Sequence, residues 1–122
     1  VVPRSKVPEM IRLLEKLAAE HGVPIVNFGH AGDGNIHVNV MVDLARPGMK
    51  ERMDEIMDGV FAAAISLKGS ISGEHGIGTA KSRYLAMELD SATIAAMKAI
   101  KRALDPDNIM NPGKIFADGA AR

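Results

Sequence analysis

Hydrophobic residues recur every three or four positions in the first part of the chain, which is the spacing of one helix face. The repeat lies between Pro8 and His21-Gly22, and its members are Met10, Ile11, Leu14, Leu17 and Ala18. Ser5 is placed to cap this helix, Pro8 lies in its first turn, and Gly22 is placed to end it. The pattern therefore predicts an amphipathic helix over about residues 5–22.

The same spacing predicts three more helices. The longest covers about residues 49–65 and ends at Lys68-Gly69, and its apolar face consists of Met49, Met53, Ile56, Met57, Val60, Phe61, Ala64 and Ile65. Shorter helices are predicted over residues 79–89 and 91–104, and Asp105-Pro106 ends the last of them. The methionines on the longest helix indicate a core that is aliphatic and rich in sulfur.

Residues 35–42 instead alternate between apolar and polar side chains, which is typical of a half-buried β-strand. One face, directed at the core, would carry Ile36, Val38, Val40 and Val42. The opposite, polar face would carry Asn35, His37, Asn39 and Met41. Residues 24–30 are predicted to form the partner strand, which makes the two strands an antiparallel hairpin.

The turn of this hairpin is predicted at Asp33-Gly34, because both residues can adopt the positive φ angles of a two-residue turn. Such a turn pairs His30 directly with His37. Directly opposed residues share a face of the sheet, and their Cβ atoms lie about 5 Å apart. That separation suits two imidazoles that bind one metal ion.

A hairpin between helices favours an α+β fold over a wound parallel sheet. Residues 70–72 add a candidate short strand, and residues 73–78 form a glycine-rich loop before the third helix. The tail over residues 107–116 is predicted to be an ordered coil, followed by a frayed end at residues 117–122. A length of 122 residues corresponds to one domain or part of one.

Composition excludes several classes of protein. The formal net charge is zero, so no basic excess indicates nucleic-acid binding, and no apolar run is long enough for a membrane span. The absence of cysteine rules out a disulfide framework and thiolate chemistry, and it is compatible with a reducing compartment. We expect a cytoplasmic protein that associates with a membrane only through partner subunits.

The candidate chemistry lies in two glycine-rich segments. His30 and His37 need a third ligand to form a catalytic metal site, and Glu74 is the best candidate. Two imidazoles and one carboxylate that leave a position open are a common ligand set for zinc, manganese or iron. A polar patch on the hairpin and a solvated glutamate remain the alternative interpretation of the same residues.

His75 follows Glu74 directly and would point away from it in an extended backbone, where its imidazole could act as a general base. Asn39 lies on the same strand face as His37 and could donate a hydrogen bond to a substrate.

Asp33 is interpreted as a turn residue. Lys81, after the glycine loop, is interpreted as solvated. Neither Gly-x-Gly segment has the third glycine of a dinucleotide fingerprint.

Five segments together resemble the C-terminal domain of FAD-linked oxidases that act on D-2-hydroxy acids, a group that includes D-lactate dehydrogenase, the flavin subunit of glycolate oxidase and D-2-hydroxyglutarate dehydrogenase. In chain order, they are residues 2–5 (VPRS), 29–37 (GHAGDGNIH), 70–78 (SISGEHGIG), 104–106 (LDP) and 111–114 (NPGK). The resemblance covers nearly the whole chain, and the two central motifs are its most specific part.

The resemblance implies a role for each matching residue. It implies a divalent metal bound by His30, His37 and Glu74, a catalytic base that also contacts substrate at His75, and a second substrate contact at Asn39. It also implies that the tail around Asn111 and Lys114 lies toward the flavin cofactor. The cations that pair with the substrate carboxylate would lie largely outside this sequence, and Arg4 is the nearest candidate within it.

The resemblance further implies a cap domain with part of a ferredoxin-like α+β fold, covering residues 1–122, and an FAD-binding domain outside this sequence. The whole enzyme would oxidise a small 2-hydroxy acid to a 2-oxo acid, with the electron acceptor left open. The chain alone would lack turnover, and it would self-associate through the surface that the FAD-binding domain covers. A metal-dependent hydrolase and a non-catalytic metal-binding module are the alternative functions.

Overall fold

The computed structural model describes residues 1–30 and 32–116, and its elements confirm an α+β fold. In chain order, the elements are α1 (Val7–His21), β1 (Ile25–His30), β2 (Asn35–Val40), α2 (Met49–Ser66), α3 (Leu85–Glu88) and α4 (Ser91–Leu104). The chain divides into two compact units, Val1–Gly73 and the residues from Glu74 onward. None of the described helices is both long enough and apolar enough to cross a membrane.

The first helix ends as predicted but begins differently. Gly22 adopts the left-handed conformation (φ 61°), and its N–H donates to the last helical carbonyls, as expected of a helix-ending glycine. The expected cap at Ser5 is wrong, because Ser5 lies inside a 3-10 turn over Arg4–Lys6. This turn is closed by the backbone N–H of Lys6, which donates to the carbonyl of Pro3 at 2.7 Å. α1 then follows directly from the turn.

The hairpin has a longer connection than the sequence predicted. β1 and β2 are antiparallel and joined by residues 31–34, of which Ala31 lies outside the described residues. The N–H groups of Asp33 and Gly34 both donate to the carbonyl of His30 at 3.1 Å. The Asp33 carboxylate in turn accepts from the N–H of Asn35 at 2.9 Å, so Asp33 is a turn residue as predicted.

This turn moves the strand register by two residues. His30 pairs with Asn35, and His37 pairs with Phe28, so the predicted direct opposition of His30 and His37 is wrong. A shift of two residues leaves every side chain on the face where it was predicted, because side chains alternate with a period of two. Ile36, Val38, Val40 and Val42 do face the core, and the two histidines still share the outward face.

The core of the first unit lies between α1, α2 and the inner face of the hairpin. Its most deeply buried side chains are Leu14 of α1 and Ile56 of α2, each with 0% of its surface exposed. The other buried members of the cluster are Val2, Met10, Val23, Val60, Ala64 and Leu67. Aliphatic side chains therefore fill the centre, as predicted, but Met10 is the one buried methionine among the described residues, so the predicted sulfur-rich core is wrong.

The first two residues connect the hairpin turn to the segment after α2. The N–H of Val2 donates to the carbonyl of Gly34 at 3.0 Å, and the carbonyl of Val1 accepts from the N–H of Ser70 at 2.9 Å. Gly34 has a φ of 80°, and a Cβ atom there would lie only 1.9 Å from the Val2 carbonyl oxygen. The close approach therefore requires glycine. Residues 70–72 form no strand, contrary to expectation.

In the second unit, the predicted helix over residues 79–89 is mostly absent. A 3-10 turn over Ser82–Tyr84 and the four-residue α3 replace it. The hydroxyl of Ser82 donates to the Thr79 carbonyl at 2.8 Å, a local bond that competes with regular helix formation. α4 has the predicted limits, and the Asp90 carboxylate caps it by accepting from the N–H of Thr93 at 2.7 Å.

The tail after α4 is ordered through Phe116, as predicted, and Asp105 organises it. This buried carboxylate accepts from the N–H groups of Ile109 and Met110, each at 3.0 Å, and from the ammonium of Lys101. The hydrogen bond from Lys101 holds the pKa of Asp105 below its ordinary value, and the two backbone N–H groups add to this effect. The predicted fraying of residues 117–122 lies outside the described residues.

The stability provided by Asp105 is expected to depend on pH. A carboxyl group whose pKa is lower in the folded state stabilises fully above its unfolded-state pKa of about 3.9 and loses this effect as the pH falls through the folded value. We expect Asp105→Asn to lower the free energy of unfolding at pH 7, and the difference from wild type to shrink below about pH 4. Urea titrations at several pH values measure this, with exposed Asp107→Asn as the control. A difference that stays constant down to pH 2 would contradict the assignment.

Candidate functional site

The two hairpin histidines are diagonal neighbours on the outward face of the sheet. Their ring centroids lie 5.8 Å apart, and their planes are nearly perpendicular, at 79°. Diagonal positions on neighbouring strands are within reach of aromatic side chains, so the shifted register still brings the imidazoles together. His30 is exposed and His37 is half-buried.

Phe28 is a site residue that the sequence did not reveal. Its ring stacks on His37 with a centroid distance of 5.0 Å and an interplanar angle of 27°. The predicted register placed Phe28 opposite Asn39, whereas the observed register places it opposite His37. Only the correct turn length could have identified this contact. The stacking restricts the orientation of the His37 ring, although 61% of the Phe28 surface remains exposed.

Glu74 completes the predicted cluster. One ligand atom from each of His30, His37 and Glu74 can be chosen so that all three lie within 4.8 Å of one another. Two ligands that each lie about 2.1 Å from one ion can be no more than roughly 4.2 Å apart, so the three atoms would have to move somewhat closer to hold one ion together. The preceding residue, Gly73, contributes to this approach, because a Cβ atom there would lie 2.9 Å from the side-chain oxygen of Asn35. Two imidazoles and a carboxylate are chemically suited to a borderline divalent ion.

The predicted substrate contacts are exposed. Asn39 lies on β2 and pairs with Val26, so it shares the outward face with His37. His75 directly follows Glu74 in a segment without regular secondary structure, and its side chain is accessible. The structure therefore leaves both residues accessible to a small molecule, and their roles stay predictions.

The two predicted cofactor contacts lie on the tail of the second unit. Asn111 and Lys114 are both exposed, and the N–H of Lys114 donates to the Asn111 carbonyl at 3.3 Å, which closes a turn. The N–H of Ile115 donates to the carbonyl of Gly78 at 2.7 Å, so the tail is joined to the end of the glycine-rich loop. The cofactor role of Asn111 and Lys114 stays a prediction.

The burial of Lys81, after the glycine loop, differs from the solvated position that the sequence indicated. Lys81 is half-buried, and this burial lowers the pKa of its ammonium group. The guanidinium of Arg83 lies 4.6 Å from the ring centroid of Tyr84 and donates to its hydroxyl. Arg83 therefore has a structural contact with a buried aromatic residue.

The known proteins that this chain resembles form one consistent group. The profile of the family described as "FAD linked oxidases, C-terminal domain" matches residues 1–115. The chain is 45% identical to glycolate oxidase subunit GlcD of Bacillus subtilis over 99% of its own length and 26% of the relative's. It is 41% identical to a D-lactate dehydrogenase of Anaerostipes hadrus over 94% of the chain and 24% of the relative. A mitochondrial D-lactate dehydrogenase [cytochrome] of Arabidopsis thaliana is 37% identical over 94% of the chain and 20% of the relative. The chain thus spans about a quarter of the length of the relatives that it matches.

The stacking of Phe28 on His37 gives a direct test of the register. Protons of an imidazole that lies against a phenyl face are shielded, so Phe28→Ala is expected to move the His37 ring resonances downfield in proton NMR spectra. Val26→Ala, on the same strand and the same face, serves as the matched control and should leave these resonances in place. If only the Asn39 side-chain resonances responded to Phe28→Ala, the two-residue turn would be the correct one.

Proposed function

Since the chain belongs to the family of FAD-linked oxidase C-terminal domains, we propose that it supplies the metal site and the catalytic base of a flavin-dependent D-2-hydroxy acid dehydrogenase. The observation that carries the proposal is the clustering of His30, His37 and Glu74 within 4.8 Å. The relatives named above are a glycolate oxidase subunit and D-lactate dehydrogenases, which indicates a small 2-hydroxy acid as the substrate class.

The three clustered side chains would hold a divalent ion. Two ring nitrogens and one carboxylate oxygen leave coordination positions open for substrate oxygens. When bound, such an ion supplies Lewis-acid chemistry that lowers the pKa of a coordinated hydroxyl group. The chain contributes the preorganisation, because Phe28 restricts the His37 ring and the strand pairing fixes both histidines on one face.

The remaining polar residues would act on the substrate itself. Asn39 lies on the same face as His37, where its amide can hydrogen-bond a substrate oxygen and orient the molecule. His75 would accept the proton from the 2-hydroxyl group through a ring nitrogen. Because His75 directly follows Glu74 in the chain, a single loop would position a metal ligand and the base together.

When bound, FAD would supply the redox chemistry, as the acceptor for the hydride equivalent that the substrate carbon loses. We propose that the FAD-binding domain of the full-length protein holds this cofactor and that Asn111 and Lys114 face it. Both side chains are exposed on an ordered turn of the tail, so they are accessible to a cofactor held by another domain. The substrate, the FAD-binding domain and an electron acceptor are the partners that this function requires.

Metal binding is tested by removing the ligands one at a time. We expect His30→Ala, His37→Ala and Glu74→Gln each to weaken Mn²⁺ or Zn²⁺ binding by at least about 100-fold, because each change deletes one of three donors. Isothermal titration calorimetry on the purified protein measures the affinity. His21→Ala is the matched control, since His21 ends α1 beside Glu55 and is not one of the three clustered residues. Equal affinity in all four variants would remove the metal from the function.

The proposed base is tested by His75→Asn in the flavin-loaded enzyme. Loss of a general base is expected to lower kcat for D-lactate or glycolate by roughly 100- to 10,000-fold. Metal affinity should stay within a factor of about two, because His75 is not one of the clustered ligands. Stopped-flow measurement of flavin reduction separates the chemical step from binding. A metal-dependent hydrolase would instead turn over ester or amide substrates without flavin, and that result would favour the alternative function.

A further inference from the structure

The tail of the second unit has an unusual backbone. Three residues other than glycine have positive φ angles between Asn108 and Ile115, with values of 51° at Asn108, 48° at Asn111 and 71° at Ile115. Asparagine tolerates this region, but a β-branched residue rarely adopts it. Conformations of this kind persist where the surroundings fix them, and they concentrate at functional segments. The contacts that fix this tail therefore indicate what it does.

Two sets of hydrogen bonds fix the tail, one at each end. At the beginning, the buried Asp105 carboxylate accepts from the N–H groups of Ile109 and Met110 at 3.0 Å and from the Lys101 ammonium. At the end, the N–H of Ile115 donates to the Gly78 carbonyl at 2.7 Å, and the side chain of Phe116 is buried. The tail is thus held between the C-terminal end of α4 and the glycine-rich loop.

The attachment at Gly78 lies close in sequence to the proposed catalytic residues. Gly78 is three residues after His75 and four after Glu74, and the intervening Gly76 also has a positive φ, of 73°. No regular secondary structure covers residues 73–78, so regular backbone ladders do not hold this loop. Its carboxyl end is held by Ile115 through Gly78 and by the N–H of Lys81, which donates to the Ile77 carbonyl at 3.2 Å.

We propose that Asp105 is a positioning residue, and that it acts through residues 106–116 to hold the loop that carries Glu74 and His75. The first half of the tail is ordered by the carboxylate, and the second half transmits this order to the loop through the Ile115–Gly78 hydrogen bond. The inference rests on the proposed function of Glu74 and His75. It adds a residue outside the site that determines where these two side chains lie. Asp105 itself would contact neither metal nor substrate.

This role requires both carboxylate oxygens of Asp105 as hydrogen-bond acceptors. Its two carboxylate oxygens accept from three donors, and an asparagine side chain retains only one accepting oxygen. Asp105→Asn would therefore turn an NH₂ group toward a backbone N–H or toward the Lys101 ammonium. The volume of the side chain is nearly unchanged, so the substitution removes hydrogen bonds with little change in packing. Asp107→Asn makes the same charge change at an exposed position of the same tail.

The test measures the order of the loop and the metal affinity separately, on the full-length protein. Hydrogen–deuterium exchange mass spectrometry reports on peptides that cover residues 73–81 and 106–116, and calorimetry reports the Mn²⁺ dissociation constant. Asp105→Asn is expected to accelerate exchange in both peptides and to weaken Mn²⁺ binding about tenfold, as for loss of a group that supports a metal ligand. Asp107→Asn should match wild type in both measurements.

A second variant keeps the test decisive if Asp105→Asn fails to fold. Phe116→Ala removes the buried ring next to Ile115 at the end of the tail and leaves the acceptor groups of Asp105 intact. It should accelerate exchange in residues 73–81 while the Ile109 and Met110 amides stay protected. Unchanged exchange of residues 73–81 in this variant would overturn the proposal.

The result for the metal site can be judged on its own. If Glu74→Gln weakens Mn²⁺ binding but Asp105→Asn does not, the metal site stands and the positioning role is refuted. If wild type binds no Mn²⁺, the proposed function fails, and the exchange of residues 73–81 alone decides whether the tail holds the loop.

Discussion

The backbone contact between the first two residues, the hairpin turn and the segment after α2 is the constraint on which the site depends. Val2 donates to Gly34 in the turn, and Val1 accepts from Ser70, four residues before Glu74. These bonds hold two parts of the chain that are distant in sequence, one that carries the histidines and one that leads to the carboxylate. Three glycines, Gly34, Gly69 and Gly73, make the approach sterically possible.

The fold could be predicted from the sequence where a single periodic pattern determined the structure. α4 has its predicted limits because Asp90 and Asp105 are strong boundary residues, and the inner face of β2 follows from strict alternation. The region over residues 79–89 was mispredicted because local side-chain bonds, such as that of Ser82, outweighed its weak helical pattern. Such competition depends on geometry that spacing does not encode.

The site, like the fold, was predictable in part from the spacing of its residues. Which face carries the histidines was predictable, because a register error of two residues preserves the face. The partner of each histidine was not, because the turn uses the Asp33 carboxylate and the His30 carbonyl instead of the two-residue geometry that Asp-Gly favours. The contact between Phe28 and His37 was therefore not predicted, although Phe28 lies next to the motif. The grouping of Glu74 with the histidines was predicted from ligand chemistry, and the atoms do lie within 4.8 Å.

Tyr84 has a consequence for how the molecule can be observed. The chain has one tyrosine and no tryptophan, and this tyrosine is buried in the second unit beneath the Arg83 guanidinium. The core of the first unit is aliphatic, with Leu14 and Ile56 at its centre. Tyrosine emission thus reports on the unit that contains Glu74 and His75, whereas unfolding of the first unit's core would change this emission little. Within this chain, the signal of the one tyrosine therefore describes less than half of the residues.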